Sequence, residues 1–256
     1  MDEGNSSHVI PKELPATHLS PSPRCVTSGL TLKIDERKGR CLHATRPFGI
    51  GETVIANIPL SSVLIDSFIE ARCSHCFSKS QRLQRCASCR YVHYCDTKCQ
   101  REAWIAHKYE CKSILSLKNR LQGQDQEIIN CRFILMLQGL KQMKPSEEDC
   151  FFDNTNNYSR CNITHAIQMA SHSTPSIKEN TSVISTLIPR IGTTDIEFWL
   201  ERFHCNNFGI TDELLHCVGA GVFPYVALIN HSCLPNCVLR YKITKHMLPS
   251  VEVREI

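Results

Sequence analysis

The chain has 256 residues, of which 42% are hydrophobic and 21% are charged, and its formal net charge is +4. This length suffices for one large or two smaller domains, and the composition is that of a globular protein rather than a disordered or fibrous one. The longest purely apolar runs, such as residues 134–137, are too short to cross a bilayer, so we expect no membrane partner.

The first thirty residues carry four prolines and few bulky apolar side chains, which predicts a disordered tail. They also lack the basic and apolar regions of a secretory signal. We therefore expect a reducing compartment, in which the sixteen cysteines of this chain indicate metal binding rather than disulfides.

Residues 38–55 alternate short apolar stretches with glycines. This pattern predicts two short strands around a turn that contains glycine.

Four pairs of metal-ligating residues follow between residues 73 and 111. Two residues between cysteines allow a tight turn that aims both sulfurs at one ion, and three residues place two ligands on one helical face. Eight such ligands make two closed tetrahedral sites, which are structural because a catalytic zinc keeps an open position. The pairs are Cys73 and Cys76, Cys86 and Cys89, Cys95 and Cys99, and His107 and Cys111. His75 and His93 lie off this pattern and are expected to be surface histidines.

The cysteine-rich segment is also basic, since residues 71–120 contain eleven Lys and Arg against three Asp and Glu. Such an excess favours an acidic partner surface, although a solvated basic face with no partner is the commoner explanation. The spacing of the ligands is not that of a ββα finger with a reading helix, so nucleic acid is disfavoured as a partner.

Downstream, residues 112–143 place apolar side chains at helical intervals, which predicts a helix with one apolar stripe facing the core. The stripe consists of Ile129, Phe133, Met136, Leu140 and Met143. Residues 144–186 are rich in Ser, Thr and Asn and contain two prolines, so we expect short helices and long loops there.

The last third contains the segment Asn-His-Ser-Cys-Leu-Pro-Asn at residues 230–236, directly after an apolar stretch. Taken alone, such a segment could be a polar loop that closes a buried strand.

Together, these motifs resemble a known family. The segment at 230–236 is similar to the signature of the SET domain, and the ligand pairs are similar to those of the MYND zinc finger. A SET domain split by a MYND finger is the layout of the SET-and-MYND (SMYD) protein-lysine methyltransferases, and the resemblance runs from about residue 31 to the end of the chain.

This resemblance implies an α+β fold of SET-type small β-sheets with a pseudoknot, split by a MYND zinc finger and a helical insert. The expected divisions are a tail at 1–30, the N-terminal part of SET at 31–70, the finger at 71–112, the insert at 113–195 and the core of SET at 196–256.

It also implies two structural Zn²⁺ ions held by interleaved pairs. The first and third pairs would bind one ion, and the second and fourth pairs would bind the other. S-adenosylmethionine is the implied cofactor, and the residues expected to hold it are Lys38, Gly39, Arg40, Asn206, Asn230 and His231.

Three departures from the family pattern carry expectations of their own. Cys41 occupies the place of a turn glycine, where a side chain is expected to crowd the cofactor or resist a positive φ. The tyrosine of the transfer channel and the cysteine-rich post-SET segment are expected beyond Ile256. Cys233, without that segment, is expected to be a free buried thiol.

The primary functional hypothesis is an S-adenosylmethionine-dependent protein-lysine methyltransferase that acts on histone or other protein substrates, in a chromatin-related role in nucleus and cytoplasm. The alternative is a catalytically silent adaptor, motivated by the missing tyrosine, whose zinc finger recruits proline-rich peptides or other partner proteins.

Overall fold

The computed structural model describes residues 29–37, 39–121, 123–142 and 169–256, together with the backbone of two short strands at 152–153 and 158–159. The strands are β1 (Leu30–Asp35), β2 (Gly39–Ala44), β3 (Thr53–Asn57), β4 (Ser61–Leu64), β5 (Gln84–Arg85), β6 (His93–Tyr94), β7 (Phe152–Asp153), β8 (Tyr158–Ser159), β9 (Asn207–Thr211), β10 (Cys217–Val222), β11 (Cys237–Lys242) and β12 (Ser250–Glu255). The helices are α1 (Thr97–Glu110), α2 (Ile114–Arg120), α3 (Asp125–Lys141), α4 (Pro175–Leu187) and α5 (Thr193–Asn206), and short 3₁₀-helices span Asp66–Phe68 and Val226–Leu228.

The strands form small sheets rather than one continuous sheet. Two of them are hairpins, β1–β2 and β5–β6, and a third sheet has the order β4–β10–β9. The largest has the order β11–β12–β3–β8–β7, and in it β3 and β12 pair antiparallel with Ile55 opposite Val253. The two predicted strands near residues 38–55 therefore exist as β2 and β3, but they belong to different sheets.

Helix α3 is the centre of the largest hydrophobic cluster, where it packs against β4 and α5. Phe133 and Trp199 are fully buried in this cluster, and the Trp199 indole donates to Gln138 Oε1 at 3.0 Å. Every residue from Ile128 to Gly139 except Asn130 is buried. The prediction of a single apolar stripe was therefore wrong, because α3 is covered on all sides by α1, α5 and the sheet.

The cysteine-rich segment folds around the β5–β6 hairpin and α1. Asp96 caps the N-terminus of α1 by accepting from the backbone N–H groups of Lys98 and Cys99 at 2.9 and 3.1 Å. This cap starts α1 at Thr97, two residues after Cys95, so that Cys99 and His107 lie on the helix and Cys111 caps its C-terminus.

The mixed α and β arrangement with an inserted finger agrees with the predicted fold class, whereas the pseudoknot and the domain boundaries stay predictions. The predicted disordered tail falls almost wholly on residues 1–28, outside the described residues, and so does Met143 of the predicted stripe. Among the helices that the structure describes, none combines the length and the apolar character needed to span a bilayer.

Candidate functional site

The first and third ligand pairs converge on one point. The Sγ atoms of this first quartet lie within 4.8 Å of one another, and Cys76 Sγ is 3.7 Å from Cys95 Sγ. A tetrahedral zinc with Zn–S bonds of about 2.3 Å places its sulfurs roughly 3.8 Å apart, so the spacing fits this ion. The first quartet consists of Cys73, Cys76, Cys95 and Cys99.

His246, in the turn between β11 and β12, lies against the first quartet. Its Nδ1 is 3.5 Å from Cys99 Sγ and 3.4 Å from a carboxylate oxygen of Asp96. Its backbone N–H donates to Cys76 and helps to lower the pKa of that thiol, after the larger effect of the hydrogen bond with Cys73. The turn therefore contributes two polar contacts to a cluster that it does not belong to.

The second and fourth pairs form a second quartet, which is entirely buried. Cys86 Sγ is 3.9 Å from Cys111 Sγ, and Cys89 Sγ is 3.6 Å from His107 Nε2. Burial opposes ionisation of Cys89, but its hydrogen bonds with the His107 ring and with the backbone of Val92 and Tyr91 together outweigh burial and lower the thiol pKa to about 6. The second quartet consists of Cys86, Cys89, His107 and Cys111, and the two quartets together suit two Zn²⁺ ions.

Glu110 occupies the other side of the His107 ring. Its Oε1 is 2.8 Å from His107 Nδ1, and both of its oxygens accept from the Arg132 guanidinium, at 2.7 and 3.0 Å. Burial opposes ionisation of this carboxyl, but the charge of Arg132 and the hydrogen bond with His107 outweigh it and hold the pKa of Glu110 at about 2. Glu110 is therefore a buried carboxylate shared between the finger and α3.

The finger is also anchored at its beginning. Arg72 Nη2 lies 2.6 Å from Asp212 Oδ2 in the β9–β10 connection, and Arg72 Nη1 donates to the Phe77 carbonyl at 3.0 Å. Both members of this ion pair are buried. A buried pair across two elements fixes their relative position, because separating it leaves a charge without its partner.

His75 and His93 stay outside both quartets, as the spacing predicts, but they are not surface residues. Both are buried, His75 Nε2 lies 2.9 Å from Glu102, and His93 Nε2 accepts from Arg85 Nε at 3.2 Å. The expectation of surface histidines was wrong because each ring packs inside the finger beside a charged neighbour.

The predicted cofactor residues lie on three segments. Lys38 is outside the described residues, Gly39 has a positive φ of 71°, and Arg40 is half-buried at the start of β2. Strand β2 contacts the 3₁₀-helix that precedes Asn230. Burial lowers the pKa of Arg202, and the charge of Arg40 lowers it further, so Arg202, near the end of α5, is close enough to Arg40 for the two charges to interact.

Asn206, at the end of α5, is buried, and its side-chain amide donates to the carbonyls of Ala170 and Arg202, both at 2.7 Å. Asn230 and His231 are exposed. The described structure therefore brings the β2 turn, the end of α5 and the 226–231 segment to one region, with Asn206 directed at backbone carbonyls.

A positive φ at Cys41 and a buried Cys233 were both wrong expectations, whereas crowding of the cofactor by Cys41 stays a prediction. Cys41 is buried within β2, with Sγ 3.7 Å from the Lys33 carbonyl, and the positive φ falls on Gly39 instead. Cys233 is exposed rather than buried, and its Sγ lies 3.4 Å from His231 Nε2. A strand residue needs no left-handed backbone, and the 230–236 segment lies on the surface.

The sequence interpretation missed Arg132, Arg202 and His246. Arg132 and Arg202 lie in helical patterns where a basic residue is ordinarily solvated, and His246 follows no ligand spacing. In the sequence, only the place of Arg132 inside an apolar run could have indicated a buried ion pair.

Comparisons with known proteins agree with these features. The family model described as "MYND finger" matches residues 73–111. The chain is 29% identical over 211 residues to histone-lysine N-methyltransferase ASHR1 of Arabidopsis thaliana, covering 80% of this chain and 43% of that protein. It is 30% identical over 214 residues to N-lysine methyltransferase SMYD2 of Mus musculus, covering 81% and 47%. It is 28% identical over 218 residues to histone-lysine N-methyltransferase SMYD1 of Homo sapiens, covering 82% and 42%. The chain thus spans somewhat less than half the length of these relatives.

Proposed function

Because the chain belongs to the SET-and-MYND (SMYD) family of protein-lysine methyltransferases, we propose that it transfers a methyl group from S-adenosylmethionine to lysine side chains of histone or other protein substrates. The observation that carries this proposal is the convergence of the β2 turn, the end of α5 and the 226–231 segment, together with the identity to methyltransferases over four fifths of the chain.

The cofactor supplies an electrophilic methyl group on a sulfonium, so the protein has to align, desolvate and orient rather than provide a nucleophile. In this proposal Arg40 and Arg202 attract the cofactor carboxylate, and Gly39 lets the backbone approach closely because its φ is positive. The amide of Asn230 offers both a donor and an acceptor to the polar parts of the cofactor.

Asn206 is not a direct ligand of the cofactor in this proposal. Its amide ties the end of α5 to the Ala170 carbonyl, and the same amide bonds the Arg202 carbonyl. We assign it the positioning of Arg202. His231, whose ring is held beside Cys233, would orient the segment that carries Asn230.

The two quartets are proposed to hold two structural Zn²⁺ ions, with the ligand assignment given above. In both quartets protein atoms supply all four donors, which leaves no open position for a reacting water. The zinc sites therefore support the finger, and its basic surface is proposed to contact protein partners, proline-rich peptides among them. The proposed locations are the nucleus and the cytoplasm.

The test is binding of S-adenosylmethionine by the zinc-loaded chain, measured by isothermal titration calorimetry, alongside transfer of labelled methyl to extract proteins. Arg202→Met should weaken binding about tenfold or more, because a hydrogen bond to a charged group contributes roughly 1.5–3 kcal/mol. Arg190→Met removes an exposed arginine elsewhere and should leave affinity unchanged. Wild-type affinity in a folded Arg202→Met protein would remove Arg202 from the site, and absence of any binding by the wild type would contradict the proposed function.

A further inference from the structure

The His107, Glu110 and Arg132 side chains form a continuous buried chain from the second quartet into α3. Their residues are 3%, 1% and 3% exposed, respectively. Burying an ion so completely costs several kcal/mol unless it is paired with good geometry. Glu110 meets this condition, because the Arg132 guanidinium reaches both of its oxygens.

The two ring nitrogens of His107 face different partners. Its Nε2 faces Cys89 within the quartet, and its Nδ1 faces Glu110 on the other side of the ring. A hydrogen on Nδ1 donated to a carboxylate leaves the Nε2 lone pair free for a metal, and it also fixes the plane of the ring. Glu110 is thus placed to select the ligating form of His107.

Arg132 lies on α3, which contributes no residue to either quartet. It fixes Glu110 with two hydrogen bonds, and its guanidinium also lies 5.9 Å from the centre of the Tyr91 ring of the finger. Helix α1 packs closely on α3, since a Cβ added at Gly139 would lie only 2.1 Å from the Tyr109 ring. This close packing allows Arg132 on α3 to reach Glu110 on α1.

We propose that Arg132 is an outer-sphere component of the second zinc centre, so that retention of this zinc depends on the docking of α3. The proposal rests on the assignment of zinc to the second quartet and extends it to a helix outside the finger. Arg132 is a positioning residue here: it holds Glu110, and Glu110 holds His107.

A purely structural ion pair would behave differently. It would stabilise the packing of α1 on α3 without discriminating between the two metal ions, so its loss would release both ions faster or neither. An outer-sphere role predicts a selective effect on the ion of the second quartet.

The experiment measures release of zinc from the intact 256-residue chain to a chromogenic chelator in excess. Substitution with Co²⁺ identifies each ion, because a site with three sulfurs and one nitrogen absorbs differently from a site with four sulfurs. Arg132→Met should accelerate release from the second quartet about tenfold and leave the first unchanged. Lys141→Met, on the same helix with a partly exposed ammonium that contacts Asp195 rather than the finger, should match the wild type.

Two further variants keep the proposal testable if Arg132→Met does not fold. Arg132→Lys retains the charge without the two-pronged contact and should give an intermediate rate, and Glu110→Gln should release the second ion faster. In Glu110→Gln/Arg132→Met, no carboxylate is left buried without its cation, so the combined effect should be smaller than the product of the single effects.

The proposal is overturned if the folded variants release both ions at the wild-type rate, or if both ions are accelerated equally. Two zinc ions counted in the wild type test the assignment of the quartets, and methyl transfer is not part of the readout. Failure here is therefore distinguishable from failure of the proposed function.

Discussion

His246 shows how a single residue outside the finger supports a metal cluster. Its φ is 65°, in a region that costs a residue with a Cβ about 1–3 kcal/mol. This backbone conformation coincides with an N–H directed at Cys76 and a ring nitrogen 3.5 Å from Cys99 Sγ. Hydrogen bonds to thiolates offset their negative charge, so the strained residue is compensated by the contacts that it makes.

Replacing His246 should therefore weaken the first centre. We expect His246→Ala to accelerate release of the zinc with four sulfur ligands about tenfold, because an outer-sphere donor is lost. Release from the second quartet should not change, which is the reverse of the pattern expected for Arg132→Met. Metal release followed by Co²⁺ absorption checks this.

Two comparisons sharpen this prediction. His246→Asn keeps a side-chain donor and tolerates a left-handed backbone, so its release rate should lie closer to the wild type. His204→Ala, at an exposed position on α5, should have no effect. Equal acceleration in His246→Ala and His204→Ala would contradict the assigned role.

At the scale of elements, the contact between α1 and α3 is unusually close. Gly139 lies under the Tyr109 ring, and a Cβ there would overlap three ring atoms at 2.1–2.5 Å. The helices that carry Glu110 and Arg132 can approach closely at this point only because Gly139 has no side chain.

Gly139→Ala tests this close approach. In an ordinary helix interior the change would stabilise the protein by about 1 kcal/mol. Here we expect destabilisation of about 1–3 kcal/mol, because the ring has to move in a packed core. Denaturant unfolding in the presence of zinc measures it, and a gain in stability would refute the expectation.

The same contact provides its own control. The combined change Gly139→Ala/Tyr109→Ala removes the overlapping ring, so its cost should be smaller than the sum of the two single costs. Gly192→Ala, where the nearest atom of a new Cβ would be 3.9 Å away, meets no steric overlap and should cost only the loss of a favoured N-cap residue, about 0.5–1 kcal/mol.

Features that depend on residues close together in the sequence could be predicted, and features that depend on distant residues could not. The quartets could be predicted because two- and three-residue spacings fix local turns, and the structure brings together the same eight residues. The all-round burial of α3 could not, since it depends on which elements cover the helix. His246 stands 147 positions from Cys99, and no local pattern connects them.

At the scale of the whole molecule, three polar contacts, here called the anchors, join the finger to the remaining structure. Arg72 meets Asp212, Glu110 meets Arg132, and Cys99 meets His246. The anchors reach the β9–β10 connection, α3 and the β11–β12 turn. The finger therefore behaves as an integrated part of the described structure rather than as a tethered module.

Removal of zinc should therefore destabilise elements outside the finger as well. A structural zinc contributes about 10–16 kcal/mol to the folding of small zinc peptides, so residues 71–112 should unfold on chelation. We expect amide protons of α3 and of the β11–β12 turn to lose protection with them, as their anchors are released. Hydrogen exchange with and without chelator measures this.

Helix α4 is the internal reference for that measurement, because none of the three anchors lies on it. Its amide protons should exchange more slowly than those of α3 after chelation. If the finger unfolds and α3 keeps its full protection, the coupling between finger and core is absent.

The pairing of β3 with β12 also bears on the order in which the molecule assembles. Ile55 and Val253 face each other across the largest sheet although nearly the whole described chain separates them. Bringing such distant strands together carries a loop-closure cost that local contacts do not. During synthesis the finger and α3 emerge well before β12, so metal capture can precede sheet closure. The folded finger then shortens the stretch of unfolded chain that separates β3 from β12 when the two strands pair.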